Sequence, residues 1–155
     1  MARQIYFVFL KAKSFDEAVE CAEDALLEYR GLIHNHAELI DKPGDFLDWL
    51  PPSHIKEIGI DAFFNLYKEW QRQIADDINE SIGELLETTL QDVLEKHTEN
   101  LCAIIIAMKM QNSEFTYKSP ILNVVEDSTR ISDKLGASIR RNPRSYWLLP
   151  YDLRT

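Results

Sequence analysis

The sequence has few of the residues that mark catalytic or cofactor-binding loops. Only 5 of its 155 residues are glycine, and no glycine-rich phosphate-binding loop occurs. The chain also contains no G-x-S-x-G nucleophile motif. No motif therefore predicts a bound cofactor, and we expect none.

Cysteine is equally scarce. Cys21 and Cys102 are the only two, they are far apart in the sequence, and neither belongs to a C-x-x-C motif. Free, buried thiols in a reducing compartment are the expected state of both residues. This pattern favours a cytoplasmic protein.

Long hydrophobic runs are missing. A membrane-spanning helix needs roughly 18 or more consecutive apolar residues, whereas the longest apolar run, residues 101–108, has the length of a buried strand. With 45% hydrophobic residues, the chain can bury one core without metal ions or disulfides. We expect residues 1–155 to form a single domain that makes no membrane contact.

Positive charge is sparse in the first two thirds of the chain. Residues 1–60 carry 6 basic and 11 acidic residues, and residues 61–100 carry 3 and 10. Residues 101–155 carry 8 basic and 5 acidic residues, and the net charge of the chain is −9. This distribution disfavours direct nucleic-acid binding and predicts attraction to a basic protein.

The most prominent feature that is present is a proline-free stretch, residues 61–97, whose apolar residues recur at helical spacing. The stripe begins with Phe63, Tyr67, Trp70 and Ile74. Asp61 is a candidate N-cap for this helix. Residues 81–84 combine a capping-box pattern with Gly83, so the helix is predicted to be continuous or kinked there.

Two shorter helices are predicted on either side of the long one in sequence. The first spans about residues 15–30, opens with a capping box from Ser14 to Glu17, and buries a stripe that includes Cys21. The second spans about residues 128–141 and is capped by Asp127 or Ser128.

Strands are predicted from segments rich in aromatic and β-branched residues. Residues 4–12 form the first predicted strand, and the consecutive apolar residues within it indicate burial on both faces and a central place in the sheet. Residues 32–40 are predicted to be a strand or irregular structure, although the same residues could extend the first helix beyond Gly31. Further strands are expected at residues 101–110, 114–118 and 145–149, the last of them at an edge before Pro150. Together these elements predict an α+β fold, in which a small, mostly antiparallel sheet packs against one long helix and two shorter ones.

A stripe of carboxylates on the polar face of the long helix is the main candidate binding surface. It consists of Asp76, Asp77, Glu80, Glu84, Glu87 and Glu95. Negative charge repeated along a helix resembles the spacing of phosphates on a nucleic-acid backbone, so this face could bind a basic protein. The competing interpretation is an ordinary solvated helix face.

His34, His36 and Glu38 are the only cluster with the residue types of metal ligands. On a strand, residues two and four apart share a face, so the three side chains could bind zinc or iron. This cluster supports an alternative function as a small metal-dependent hydrolase or nuclease.

Two further surfaces have alternative interpretations. Phe63, Phe64, Trp70 and Leu86 are candidate contacts of a homodimer formed through the long helix. Near the C-terminus, arginines alternate with Tyr146, Trp147 and Tyr151, which suits either base stacking or a strand whose aromatic residues enter the core. The function best supported by the sequence is a non-enzymatic interaction domain, possibly an acidic inhibitor or immunity-type partner of a basic protein.

Overall fold

The computed structural model describes residues 4–29, 36–87, 121–127 and 130–154. Its elements, in chain order, are β1 (Gln4–Lys11), α1 (Phe15–Tyr29), β2 (His36–Leu39), β3 (Ser53–His54), α2 (Ile55–Ile58), α3 (Ile60–Glu87), β4 (Ile121–Asn123), α4 (Asp133–Arg141), a 3-10 turn (Pro143–Ser145) and β5 (Tyr146–Arg154). The α+β prediction is confirmed. The predicted strands 101–110 and 114–118, Cys102, and residues 88–97 of the long helix lie outside the described residues.

The described strands form one sheet in the order β2-β5-β1-β4, with β3 also paired to β5. The pairs β1–β5, β2–β5 and β3–β5 are antiparallel, and the pair β1–β4 is parallel. The central position predicted for β1 is therefore confirmed. Residues 6–10 are buried, whichever face their side chains are on, because β1 has a strand on each side and helices above and below.

The predicted edge position of residues 145–149 is wrong, because β5 lies inside the sheet and continues through Pro150 to Arg154. On one side β5 pairs with β1, and on the other side it pairs first with β3 and then with β2. The Pro150 carbonyl accepts the Ile40 N–H at 3.0 Å, on the side of β2. In an antiparallel strand, the nitrogen and the carbonyl of one residue point to the same side. The nitrogen of Pro150 therefore faces the gap between β2 and β3, where sheet pairing requires no N–H donor.

Each face of the sheet has its own hydrophobic cluster. Even-numbered residues of β1, such as Val8, pack with Ala18, Ala22 and Leu26 of α1. Odd-numbered residues of β1 pack on the other face with α2, α3 and α4. Alternation of side chains along β1 thus separates α1 from the other three helices.

Helix α3 begins one residue earlier than predicted, so Asp61 lies in its first turn and is not the N-cap. The preceding residue, Gly59, has φ +96°, a conformation that glycine adopts without steric cost. The helix continues without a break through residues 81–84 to Glu87. Among the described residues, no helix combines the length and the apolar character required to cross a membrane.

The shorter helices differ from their predictions in detail. The Ser14 hydroxyl accepts the Glu17 N–H at 3.2 Å, which confirms the cap of α1. Cys21, however, is exposed, and the buried position belongs to Ala22, because the inward stripe follows residues 18, 22, 25 and 26. Helix α4 begins at Asp133, later than predicted, and its N-cap is Ser132.

Candidate interaction surface

The predicted carboxylate stripe lies on α3 as far as that helix is described. Asp76, Glu80 and Glu87 are exposed, as expected for the polar side of an amphipathic helix. Asp77 and Glu84 belong to the same helix, and Glu95 lies outside the described residues. The part of the stripe that can be seen is therefore accessible to a partner.

Part of this negative charge is neutralised within α3. Arg72 donates to Asp76 Oδ2 at 2.7 Å and to Glu69 Oε2 at 3.1 Å. The hydrogen bond from Arg72 is the main cause that lowers the pKa of Glu69. These pairs follow the i,i+3 and i,i+4 spacing that stabilises helices. Arg72 thus places a positive charge at the start of the α3 carboxylate stripe.

Helix α1 has a more uniform acidic surface, which the sequence analysis did not single out. Within Phe15–Tyr29 there are six acidic residues and no lysine or arginine. All six are exposed: Asp16, Glu17, Glu20, Glu23, Asp24 and Glu28. We call this surface the α1 acidic face.

Two neighbouring groups respond to the charge of the α1 acidic face. Partial burial, followed by the charges of Glu17, Glu20 and Asp24, raises the pKa of the Cys21 thiol. Below α1, the fully buried side chain of Tyr151 has its pKa raised by burial and by the charge of Glu23. Both pKa shifts disfavour the ionised, negatively charged form of the side chain, as expected close to other negative charges.

An apolar side chain lies among these carboxylates. Leu27 is 57% exposed on α1, next to Glu28 and one turn from Glu23 and Asp24. Protein interfaces commonly combine an apolar centre with a polar rim. The α1 acidic face therefore offers both contact types on one helix.

The amino ends of α1 and α4 lie where β1 and β4, an adjacent parallel pair, have their carboxyl ends. The two helices pack on opposite faces of the sheet, an arrangement that forms a ligand-binding crevice in many α/β proteins. At both helix starts a glutamate of the chain itself accepts a backbone N–H. Glu17 accepts the Lys13 N–H, and Glu126 accepts the Ser132 N–H at 2.9 Å.

The loop after β4 is held closed by a buried amide. Asn123 donates to the Arg130 carbonyl at 2.9 Å and to Glu126 at 3.3 Å. Burial is the largest single influence on Glu126 and opposes ionisation, but hydrogen bonds from Ser132 and Asn123 together outweigh it and lower the pKa of Glu126. These contacts explain why α4 begins at 133, and they give Glu126 a structural role.

The proposed metal ligands are only partly described. Strand β2 begins at His36 and includes Glu38, which is exposed, while His34 lies outside the described residues. Within the described ranges, no group of three His, Cys, Asp or Glu residues could hold a metal ion. Glu38 pairs across the ladder with Asp152, a buried acid at 3% exposure that the sequence analysis missed.

Two of the proposed dimer contacts are wrong. Phe63 and Trp70 are buried, because their rings stack on Phe9 and Phe7 of β1 with centroids 5.5 and 5.0 Å apart. Phe64 is partly buried, with the Arg140 guanidinium 4.3 Å above its ring. Of the four candidates, Leu86 alone is largely exposed.

The C-terminal aromatic residues enter the core, so they are not available to stack nucleic-acid bases. Tyr146, Trp147 and Tyr151 are all buried, and the indole N–H of Trp147 donates to the Ala12 carbonyl at 3.2 Å. The fold therefore supports the interpretation of this segment as a strand whose aromatic residues enter the core.

The signal for the α1 acidic face was present in the sequence as the absence of lysine and arginine between residues 15 and 29. The burial of Asp152 had no such signal, since it depends on which strands flank β5. Comparison of the chain with protein-family models, with curated proteins and with solved structures finds no match in any of the three.

Proposed function

We propose that this protein is a non-enzymatic interaction domain that binds a basic protein through the α1 acidic face. The observation that carries the proposal is six exposed carboxylates on a 15-residue helix without a basic residue. Exposed Leu27 supplies an apolar contact within that face. An inhibitor or immunity-type role is the concrete form we propose, because such an acidic helix could cover a basic functional surface on its partner.

The charge pattern of α1 argues for a role outside folding. Glu20, Asp24 and Glu28 follow one another at i,i+4 spacing, which places like charges next to each other and destabilises a helix. In α3 the like charges Asp76, Glu80 and Glu84 have the same spacing, but that helix also contains the stabilising pair of Arg72 with Asp76. Within Phe15–Tyr29, α1 has no basic residue that could form such a pair.

The carboxylates of α3, which the sequence analysis favoured, have a secondary part in this proposal. Helix α3 packs on the opposite face of the sheet from α1, so one rigid surface cannot cover both helices. We assign Asp76, Glu80 and Glu87 to long-range attraction that raises the association rate. We also place the protein in the cytoplasm, since an exposed thiol such as Cys21 persists in a reducing compartment.

The test compares charge reversal on the two helices. One variant combines Glu20→Lys, Glu23→Lys and Asp24→Lys, and its matched control combines Glu80→Lys, Glu84→Lys and Glu87→Lys, so that the net charge changes equally. Binding of a fluorescent lysine-rich helical peptide is measured by anisotropy at about 0.1 M and about 1 M salt. We expect the α1 variant to lose roughly tenfold in affinity at the lower salt, as for three exposed ion pairs.

Equal losses in both variants would show that only net charge matters, and would overturn the assignment to α1. The same two variants then serve as baits in native-cell co-purification. A basic partner retained by wild type and by the α3 variant, but lost by the α1 variant, supports the proposal. A partner that binds all three baits equally contradicts it.

A further inference from the structure

Five exposed basic residues surround the 3-10 turn Pro143–Ser145, in a protein that is otherwise strongly acidic. They are Lys11, Lys56, Arg140, Arg141 and Arg144, which we call the basic surface. Arg144 belongs to the turn itself, and α4 brings Arg140 and Arg141 to it. Helix α2, which carries Lys56, also packs against this turn.

Contacts at the turn bring Lys11 to the same place from the far end of the sequence. The Ala12 N–H donates to the Ser145 carbonyl at 3.0 Å, and Lys11 pairs with Tyr146 in the β1–β5 ladder. The Lys11 ammonium lies 5.8 Å from the centre of the Tyr146 ring. Tyr146 belongs to the hydrophobic cluster that packs with α3 and α4. The basic surface is therefore on the face of the sheet that α1 does not cover.

The acidic and basic surfaces of one molecule thus lie on opposite faces of its sheet. Such surfaces cannot meet within one molecule, but they can meet between two molecules. We infer that the basic surface binds the α1 acidic face of a second copy of this chain. The contact joins two different surfaces, so it is heterologous and leaves one acidic and one basic surface open at the ends.

Charge complementarity favours a second copy over a nucleic acid as the occupant. The α1 acidic face presents six carboxylates along a helix about 22 Å long, against five cations, one of which, Arg140, also lies 3.8 Å from a carboxylate oxygen of Asp61. The aromatic residues that would stack bases beside these arginines, Tyr146 and Trp147, are buried. This inference goes beyond the proposed function, because it assigns a binding partner to the basic surface. Self-association then competes with the basic protein for the α1 acidic face.

Ionic strength should control this association. The net charge of −9 repels two copies, but at about 0.1 M salt charges more than about 10 Å apart are largely screened. Pairs in contact across the interface are affected less, so moderate salt favours association. At about 1 M salt the Debye length falls to about 3 Å, and exposed pairs weaken as well.

The experiment measures mass by light scattering as protein concentration increases, at about 0.1 M and about 1 M salt. The basic-surface variant combines Lys56→Glu, Arg141→Glu and Arg144→Glu, which spares Arg140 because that residue contacts Phe64. The control combines Lys42→Glu, Lys68→Glu and Lys134→Glu, three exposed cations outside the basic surface. We expect wild type and control to associate at the lower salt, and the basic-surface variant to remain monomeric.

A charge-swap variant distinguishes loss of the interface from misfolding of the basic-surface variant. Adding Glu20→Lys, Glu23→Lys and Asp24→Lys to the basic-surface variant reverses both surfaces in one chain, and self-association should return. The inference is overturned if wild type stays monomeric at about 0.1 M salt, if the control dissociates equally, or if the swap restores nothing. Binding of the lysine-rich peptide should survive in the basic-surface variant, so a failure here is distinct from a failure of the proposed function.

Discussion

Helices α1 and α3 pack on opposite faces of one sheet with different side chains. Helix α1 uses Ala18, Ala22 and Leu26, so its backbone can approach the sheet closely. Helix α3 instead stacks Phe63 and Trp70 on two phenylalanines of β1. Aromatic rings bury more apolar area than alanines do, so α3 contributes more to stability.

The outer faces of the two helices differ in the same sense. On α3, Arg72 lies between Glu69 and Asp76 and neutralises part of their charge. On α1, like charges follow one another with no basic residue within the helix. Helix α3 thus combines inner packing with a pairing of opposite charges on its outer face, whereas the outer face of α1 carries like charges without a basic residue beside them.

The largest expected effect comes from the α3 side of the core. Phe63→Ala should lower the free energy of unfolding by about 3–5 kcal/mol, because it removes a fully buried ring stacked on Phe9. Leu27→Ala on the exposed side of α1 is the control and should stay within about 0.5 kcal/mol of wild type. Urea denaturation measures both, and similar losses would contradict the placement of Phe63 in the core and of Leu27 at the surface.

On the α1 side, enlargement of an inner residue tests whether the packing is close. Ala22→Leu should cost about 1–3 kcal/mol, because the site is fully buried against β1 and β5. Ala62→Leu, at an exposed position of α3, should change stability by less than about 0.5 kcal/mol. Thermal unfolding of the two variants makes the comparison, and an unchanged Ala22→Leu protein would show that α1 is loosely packed.

The start of α4, on the α3 side of the sheet, depends on the hydroxyl of Ser132. Ser132→Ala should cost about 1 kcal/mol, because the Ser132 hydroxyl caps Leu135 N–H and also donates to Glu126. Ser14→Ala removes the corresponding cap of α1 and provides the comparison.

The pH dependence has a definite sign. The pKa of Glu126 is lower in the folded protein than its ordinary value, so its ionised form stabilises the fold above the unfolded-state pKa. That contribution is lost as pH falls from the unfolded-state value through the folded-state value. Glu126→Gln should flatten this part of the curve when denaturation is repeated from neutral to acidic pH, and an unchanged slope would contradict the assignment.

The smallest effect is expected below α1. The Tyr151 hydroxyl is buried and has no hydrogen-bond partner within the described part of the chain. Tyr151→Phe should therefore leave stability unchanged or raise it by up to about 1 kcal/mol, since removal of an unsatisfied polar group relieves a desolvation cost. A loss above about 1 kcal/mol in chemical denaturation would indicate that the hydroxyl does have a partner.

Local pattern was sufficient where burial follows directly from periodicity. The apolar residues of β1 predicted a central strand, and the spacing of Phe63 and Trp70 predicted the inner face of α3. The same patterns failed where the partner of a segment matters. The sequence predicts that Pro150 ends an edge strand, whereas it lies on an inner strand between the pairing sites of β2 and β3.

The candidate surface was predicted in part. Asp76, Glu80 and Glu87 are exposed, as the amphipathic pattern required, but Arg72 neutralises part of the charge where their stripe begins. The α1 acidic face is not among the predicted surfaces, because its signal is the absence of lysine and arginine from residues 15–29 and is not a periodicity. Assignment of Cys21 to the buried stripe was wrong by one position, which at 100° per residue is enough to turn a side chain from core to solvent.

The sequence by itself determined the fold class, the amphipathic character of the helices and the excess of negative charge, because periodicity and composition depend on no distant contact. Only the tertiary structure decided that β5 lies inside the sheet, that acidic and basic surfaces lie on opposite faces, and that Glu126 anchors α4. Each of these depends on which segments meet in space, and strand pairing joins residues as distant as Gln4 and Leu153. Local residue preferences carry no information about such pairings.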